Sequence, residues 1–164
     1  MSLLDKEPVQ RVDKILKEFN KSLEIIILKN SAKTAEQAAE ALSCNVGAII
    51  KSLLFKNENG FTLCLVSGDK RCSLKNLKKI KNQKDISMAS PEEVKTQTGY
   101  TIGGVSPVGH LKAMDIYIDK SLKRFKDLYA AAGHPNCVFK INLEDLIKLT
   151  NGKFEEIIEW KNQN

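Results

Sequence analysis

With 164 residues, 42% of them hydrophobic and 28% charged, the chain has room for one well-packed domain and the composition of a water-soluble one. Its densest apolar runs fall far short of the roughly 18 residues that would suggest a membrane span. The net charge of +6, from 26 basic and 20 acidic residues, excludes a long polycationic tail but allows a local basic patch. The start, Met1-Ser2-Leu3-Leu4-Asp5-Lys6-Glu7-Pro8, carries charges where a signal peptide needs apolar residues, so the expected compartment is the cytoplasm, with no membrane partner. Cys44, Cys64, Cys72 and Cys137 form no CxxC and no Cys/His grouping at metal-ligand spacing. Reduced thiols are expected, with no metal and no cofactor, and Cys64 lies in an apolar run that suits a core position.

Taken in chain order, Val9, Val12, Ile15, Leu16 and Phe19 recur at helical spacing after Pro8 and predict an amphipathic helix. Glu24 to Leu28 reads as a short strand. Thr34-Ala35-Glu36-Gln37 has the capping-box pattern and opens an alanine-rich helix to about Leu42. Ile49 to Phe55 is an apolar run of strand length. The turn cluster Asn57-Glu58-Asn59-Gly60 joins it to a second strand, Phe61 to Val66, which predicts a hairpin. Ser73 is placed to cap a helix whose apolar side would be Leu74, Leu77 and Ile80. Ile86 to Ala89 reads as a brief strand, and Ser90-Pro91-Glu92-Glu93 starts a helix that ends at Gly99. Asp115 to Asp119 is a strand. Leu128 to Ala132 reads as another, with helix as the alternative. Gly133-His134-Pro135-Asn136 is a turn, Cys137 to Ile141 its partner strand, and Asn142 caps a last helix through Leu149. Irregular interleaving with at least two hairpins predicts a mixed-sheet α/β domain of α+β character.

Three features carry candidate chemistry. Strand alternation places Lys51 on one face with Ile49, Leu53 and Phe55, where an ammonium must find an anion, titrate downward or reach water along its stem. Gly103-Gly104-Val105-Ser106-Pro107-Val108-Gly109 holds three of the nine glycines and one of the four prolines. Such a loop can cradle an anion, a carbonyl oxygen or a water with main-chain N–H groups, or it can be a tight structural turn. It matches neither the Walker A nor the Rossmann spacing. Lys70, Arg71, Lys75, Lys78, Lys79, Lys81 and Lys84 crowd into one stretch, which suits a phosphate backbone or is simply a solvated helix face. His110 and His134 lie in no Gly-x-Ser-x-Gly or HExxH context, so no strong nucleophile or general base stands out.

These motifs, together with Thr34 to Ala39, Val66 to Asp69, Thr98-Gly99-Tyr100, Ile118-Asp119, Ala131-Ala132-Gly133 and Asp145 to Thr150, occur in an order that resembles the YbaK/EbsC family. These are aminoacyl-tRNA deacylase domains related to the editing insertion of bacterial prolyl-tRNA synthetases. The resemblance runs from about residue 24 to residue 158, with residues 1–23 as an added N-terminal helix of a single domain spanning 1–164. It implies that the mixed sheet is mostly antiparallel, curved and surrounded by helices. It implies hydrolysis of the ester that joins a wrong amino acid to the 3′-terminal adenosine of a tRNA, most simply tRNA(Pro). It also implies a metal-free, non-covalent reaction assisted by the ribose hydroxyls. Lys51 would engage the terminal phosphate and ribose. The loop residues Gly103, Gly104, Val105, Ser106 and Pro107 would contact the scissile carbonyl or the attacking water. Ser67, Gly68, Asp69, Gly133, His134 and Asn136 are the expected substrate-binding residues, and Lys70, Arg71, Lys75, Lys78 and Lys79 the expected tRNA-backbone contacts. Aminoacyl-tRNA is the expected partner, with prolyl-tRNA synthetase a candidate second one. One departure stands out: Val138 falls where some relatives carry an acidic or histidine pocket residue, and His134 or Asn136 is available to take that place. The alternative function is a non-catalytic module that binds a tRNA end or a nucleotide, acting with a synthetase.

Overall fold

The computed structural model describes residues 2–159. Helix α1 (Glu7–Phe19) starts with Pro8 in its first turn, where a missing N–H costs nothing, and buries Val9, Val12 and Leu16 along one stripe. Strand β1 (Ile25–Ile27) follows, then α2 (Ala35–Leu42), which opens on the expected capping box: Thr34 accepts from Gln37 N while the Gln37 side chain returns to the Thr34 N–H. A 3-10 turn (Val46–Ala48) leads into the hairpin of β2 (Ile50–Asn57) and β3 (Gly60–Ser67), paired from Ile50↔Ser67 to Asn57↔Gly60 without a slip. Then come α3 (Leu74–Lys81), β4 (Ser87–Met88) and α4 (Pro91–Thr98), the last with a second capping box and Gly99 as its left-handed stop at φ 80°. The chain finishes with β5 (Asp115–Asp119), a 3-10 helix (Lys120–Arg124), β6 (Leu128–His134), β7 (Cys137–Ile141), α5 (Leu143–Thr150) and β8 (Lys153–Glu155).

The mixed, mostly antiparallel sheet is present in two parts. A five-stranded sheet runs β4-β2-β3-β5-β8, antiparallel across β4-β2-β3 and parallel across β3-β5-β8. An antiparallel three-stranded sheet runs β1-β7-β6. The two meet at one parallel bridge, Ile49 to Tyr129, and diverge beyond it. The main core fills the angle between them: α1 supplies Val9, Val12 and Leu16 against Ile50, Leu54, Leu63 and Leu65 of one sheet and Leu128, Ala130 and Phe139 of the other. At ~25 cal/mol per Å² of apolar area removed from water, a core of this kind is the dominant favourable term in folding. No helix among the described residues is long and apolar enough to cross a membrane.

Three expectations change. Gly133 and His134 continue β6, with His134 paired to Cys137, so the hairpin turn is Pro135-Asn136 alone. The α3 helix buries Leu77 alone; Leu74 and Ile80 are more than a third exposed, because the helix touches the sheet along one narrow line. Strand β8 has no counterpart in the sequence reading, since three residues with lysine and glutamate at the ends give no strand pattern.

Candidate active site

The divergence of the two sheets leaves a cavity of about 360 Å³. Its floor is Ile49 and the first part of β2, Ile50 to Leu53. The start of α2 (Thr34, Ala35, Glu36) forms one wall and the hairpin of β6 and β7 (Tyr129 to Ala131, Cys137, Val138) the other. Ile102, Gly103 and Val105 close the remaining side, and Gly68 lies at the end of β3. Lys51 and the glycine-rich loop therefore share one cavity.

Lys51 is half-buried, and its ammonium donates to the carbonyl of Lys70. Burial depresses its pKa; Glu36 and Asp69 pull it back up, Arg71 opposes them, and Asp119 adds a smaller upward pull. A lysine so placed has shed part of its hydration and holds a main-chain oxygen that an incoming anion can replace.

The loop owes its shape to its neighbours. A Cβ on Gly104 would stand 2.9 Å from the His134 nitrogen and 3.1 Å from the Gly133 carbonyl carbon, so only glycine lets the loop lie against the β6–β7 turn. There Gly133 N donates to Gly104 O at 3.0 Å. Arg11 on α1 donates from Nε to Gly109 O at 2.6 Å, and the Tyr100 hydroxyl donates to Val108 O at 2.6 Å, with Gly109 O 3.1 Å away. The Arg11 guanidinium lies over the Tyr100 ring, 4.7 Å from its centre. Burial pushes the Tyr100 phenol up to about 12, against the pull of Arg11, so it stays a neutral donor. His110 Nε2 lies 2.7 Å from Ser106 O; a carbonyl only accepts, so that nitrogen carries the proton. Burial lowers the pKa of this imidazole, with the Ser106 bond acting in the other direction. Gly104, Ser106 and Pro107 are buried and do not line the cavity; Gly104 N donates to Thr101 O at 2.9 Å, so its role is to shape the loop.

The other sequence-selected residues divide clearly. Gly68 lines the cavity, and its missing Cβ lets β3 end against the Val46 carbonyl and Ala35. Ser67 and Asp69 belong instead to a brace beside it. Ser67 N donates to the fully buried Asp119 (2.9 Å), its hydroxyl donates to Gly47 O, and Arg124 grips Asp69 with two bonds of 2.7 and 3.0 Å. The Arg124 guanidinium holds the Asp69 carboxyl at about 2. His134 and Asn136 also stand outside the cavity: His134 Nδ1 accepts from Asn136 N (3.0 Å), and Asn136 Nδ2 donates to Leu28 O (3.2 Å), tying the hairpin to the end of β1. Neither replaces an acid in the wall. Val138 occupies that wall beside Cys137, whose thiol burial holds in its protonated form.

Lys70, Arg71, Lys75, Lys78 and Lys79 lie outside the cavity, on the approach to α3 and along it. Arg71, Lys75 and Lys79 are exposed, Lys70 and Lys78 half-buried. Lys81 leaves this group: its ammonium pairs with Asp115 at 2.5 Å, with only 10% of the side chain exposed. The sequence alone assigns no functional role to Arg11, Tyr100 or Ser52. Ser52 lines the cavity, yet its Oγ is buried without a hydrogen-bond partner, a state that costs about 1–3 kcal/mol. The only sequence signal for it was a hydroxyl in an otherwise apolar strand next to Lys51.

The model of the aminoacyl-tRNA editing domain matches residues 29–149. The chain belongs to the aminoacyl-tRNA editing domain family. Membership brings the reaction class, hydrolysis of an aminoacyl-tRNA ester. The chain is 33% identical over 137 residues to the uncharacterized protein YwhH of Bacillus subtilis, covering 83% of this chain and 87% of that one. It is 30% identical over 125 residues, 76% of each chain, to EbsC of Enterococcus faecalis, whose name gives a provisional Cys-tRNA(Pro)/Cys-tRNA(Cys) deacylase activity. The crystal structure of a protein described provisionally as a trans-editing enzyme for prolyl-tRNA synthetase superposes with a TM-score of 0.89 at 35% identity, covering 94% of this chain and 99% of that one. The family match begins beyond α1, so Arg11 acts on the loop from outside the matched segment.

Proposed function

We propose that this editing domain removes a small, uncharged amino acid wrongly attached to tRNA(Pro), acting in trans to prolyl-tRNA synthetase. The observation that carries the reading is that Lys51 and the Gly103 loop line one cavity with no histidine in its wall and one carboxylate, Glu36, at the first turn of α2. Such a site is built to hold and polarise, with no side chain positioned as a strong general base. Lys51 exchanges the Lys70 carbonyl for the phosphate next to the terminal adenosine. Main-chain groups of Gly103 and Val105, which line the cavity, face the scissile carbonyl or the attacking water. Water adds to the ester carbonyl carbon, the bond to the ribose oxygen breaks, and the amino acid leaves from a restored ribose hydroxyl. A ribose hydroxyl of the substrate assists the proton transfer. The wall of Ala130, Ala131, Cys137 and Val138 offers no charge to a side chain, which favours alanine, serine or cysteine over acidic or basic residues. Arg71, Lys75, Lys78 and Lys79 meet the acceptor-stem backbone without reading its sequence.

The test is deacylation of tRNA(Pro) charged with alanine, serine, cysteine or proline, measured as release of labelled amino acid. Turnover of one or more of the first three with proline spared is the expected result. Binding of these tRNAs without turnover of any would refute the enzymatic reading and leave a tRNA-end binding module.

A further inference from the structure

Where the two sheets part, β2 has an open edge. Ala89 N donates to Leu54 O at 3.0 Å, so the main chain of Leu54 faces away from β3. Because β2 and β3 pair without a slip, alternation turns the N–H and C=O of Ser52 to that same side. On that side β4 pairs from Phe55 onward, and β6 meets β2 at Ile49. Among the described residues no strand pairs with β2 between these two points, and it is this stretch that floors the cavity.

Alternation also separates two neighbouring side chains. Lys51 shares its face with Leu53 and Phe55, which join the smaller cluster with Val66 and Leu77. Ser52 shares the opposite face with Ile50 and Leu54, which pack in the main core with Val105, Val108 and Ala130. A ligand that reaches both must straddle the strand edge, with its anionic part on the Lys51 side and its other end on the side of the loop. Ser52 Oγ is the one buried side-chain oxygen or nitrogen among the described residues without a partner. One step of ~120° about χ1 carries a serine hydroxyl from one staggered position to the next.

We propose that Ser52 hydrogen-bonds the aminoacyl end of the substrate, across the β2 edge from the phosphate held by Lys51. The inference rests on the editing reading above and assigns one residue within it. Its hydroxyl gains its missing partner when the substrate arrives, and the open main chain of the same residue lies beside the ester, as a strand edge lies beside an added peptide unit. An unpartnered hydroxyl destabilises the free protein and favours the complex.

The test compares wild type, Ser52→Ala and Lys51→Ala. Binding is measured to two acceptor-stem minihelices of tRNA(Pro), one uncharged and one carrying alanine through a hydrolysis-resistant 3′-amide. Ser52→Ala is expected to weaken the alanylated minihelix roughly 3- to 10-fold, to leave the uncharged one within about 2-fold, and to lower kcat/KM on alanyl-tRNA(Pro) by a similar factor. Its thermal midpoint is expected to equal or exceed that of wild type, because a group without a partner has been removed. Lys51→Ala, by contrast, weakens both minihelices. Equal losses on the two minihelices with Ser52→Ala, no loss on either, or a clearly lower midpoint would overturn the assignment. If wild type hydrolyses none of the charged tRNAs, the editing reading fails while the binding comparison still decides Ser52; failure of wild type to bind either minihelix overturns both.

Discussion

Between Gly103 and Gly109 the polar atoms are main-chain atoms apart from the buried Ser106 hydroxyl, which accepts from Val108 N, and neighbours fix the carbonyls one by one: Gly133 holds Gly104 O, His110 holds Ser106 O, Tyr100 holds Val108 O, and Arg11 holds Gly109 O. Between Lys70 and Lys79 the charged atoms are ammonium and guanidinium groups on long stems, and among the described residues none of these side chains forms an ion pair. Both regions stand out in the sequence by composition. One is a preorganised backbone surface, in which a displacement of an ångström is costly; the other is an adaptable charged surface, in which single side chains are replaceable. Damage to the first belongs in kcat and damage to the second in KM and in salt dependence.

The largest effect on this contrast comes from Gly104→Ala. The new methyl meets main-chain atoms of His134 and Gly133, which cannot turn aside like a flexible side chain, so the loop must shift. A loss of roughly 100-fold in kcat, with a retained circular-dichroism spectrum, is the expected outcome. Unchanged kcat would mean that the loop takes no part in the chemistry. Next comes Arg11→Ala, which removes the donor to Gly109 O and the cation over Tyr100 from a side chain with only 18% exposure. Steady-state kinetics should give about a 10-fold lower kcat at nearly constant KM, and lysine, lacking the planar fork, should restore little of it. A change confined to KM would instead assign Arg11 to tRNA binding. The smallest effect per residue is expected in the basic stretch. With Lys75, Lys78 and Lys79 all changed to glutamate, kcat should hold and KM should rise. The slope of log affinity against log salt should flatten by roughly two to three, about one for each lost phosphate contact. An unaltered salt slope would remove this face from the tRNA interface.

How much of this was legible follows from the range of each contact. Helix starts at Thr34 and Ser90 and the hairpin at Asn57 to Gly60 depend on residues within four positions of one another, and the sequence reading places them correctly. Lys51 and the glycine loop were visible because each breaks a local pattern, a charge in an apolar strand and a density of glycines. Arg11 was hidden because its partner is 98 positions away and an arginine on an amphipathic helix looks like any solvated side chain. Ser67 and Asp69 were singled out beside Gly68, but Arg124 and Asp119, brought in by the later part of the chain, turn them into a brace beside the cavity. His134 Nδ1 and Asn136 Nδ2 are engaged at the hairpin turn and just past β1, a use that only the tertiary arrangement decides. The unpaired edge of β2 could not be read at all, since it depends on where β4 starts and β6 departs.

The central claim is that Lys51 anchors a substrate that is then hydrolysed over the Gly103 loop. Its most direct test is single-turnover deacylation of alanyl-, seryl- or cysteinyl-tRNA(Pro), whichever wild type turns over, by wild type and Lys51→Ala at matched concentrations. A charged hydrogen bond to phosphate is worth about 1.5–3 kcal/mol, so the account predicts a loss of roughly 10- to 100-fold at sub-saturating enzyme. A Lys51→Ala protein as fast as wild type would contradict it.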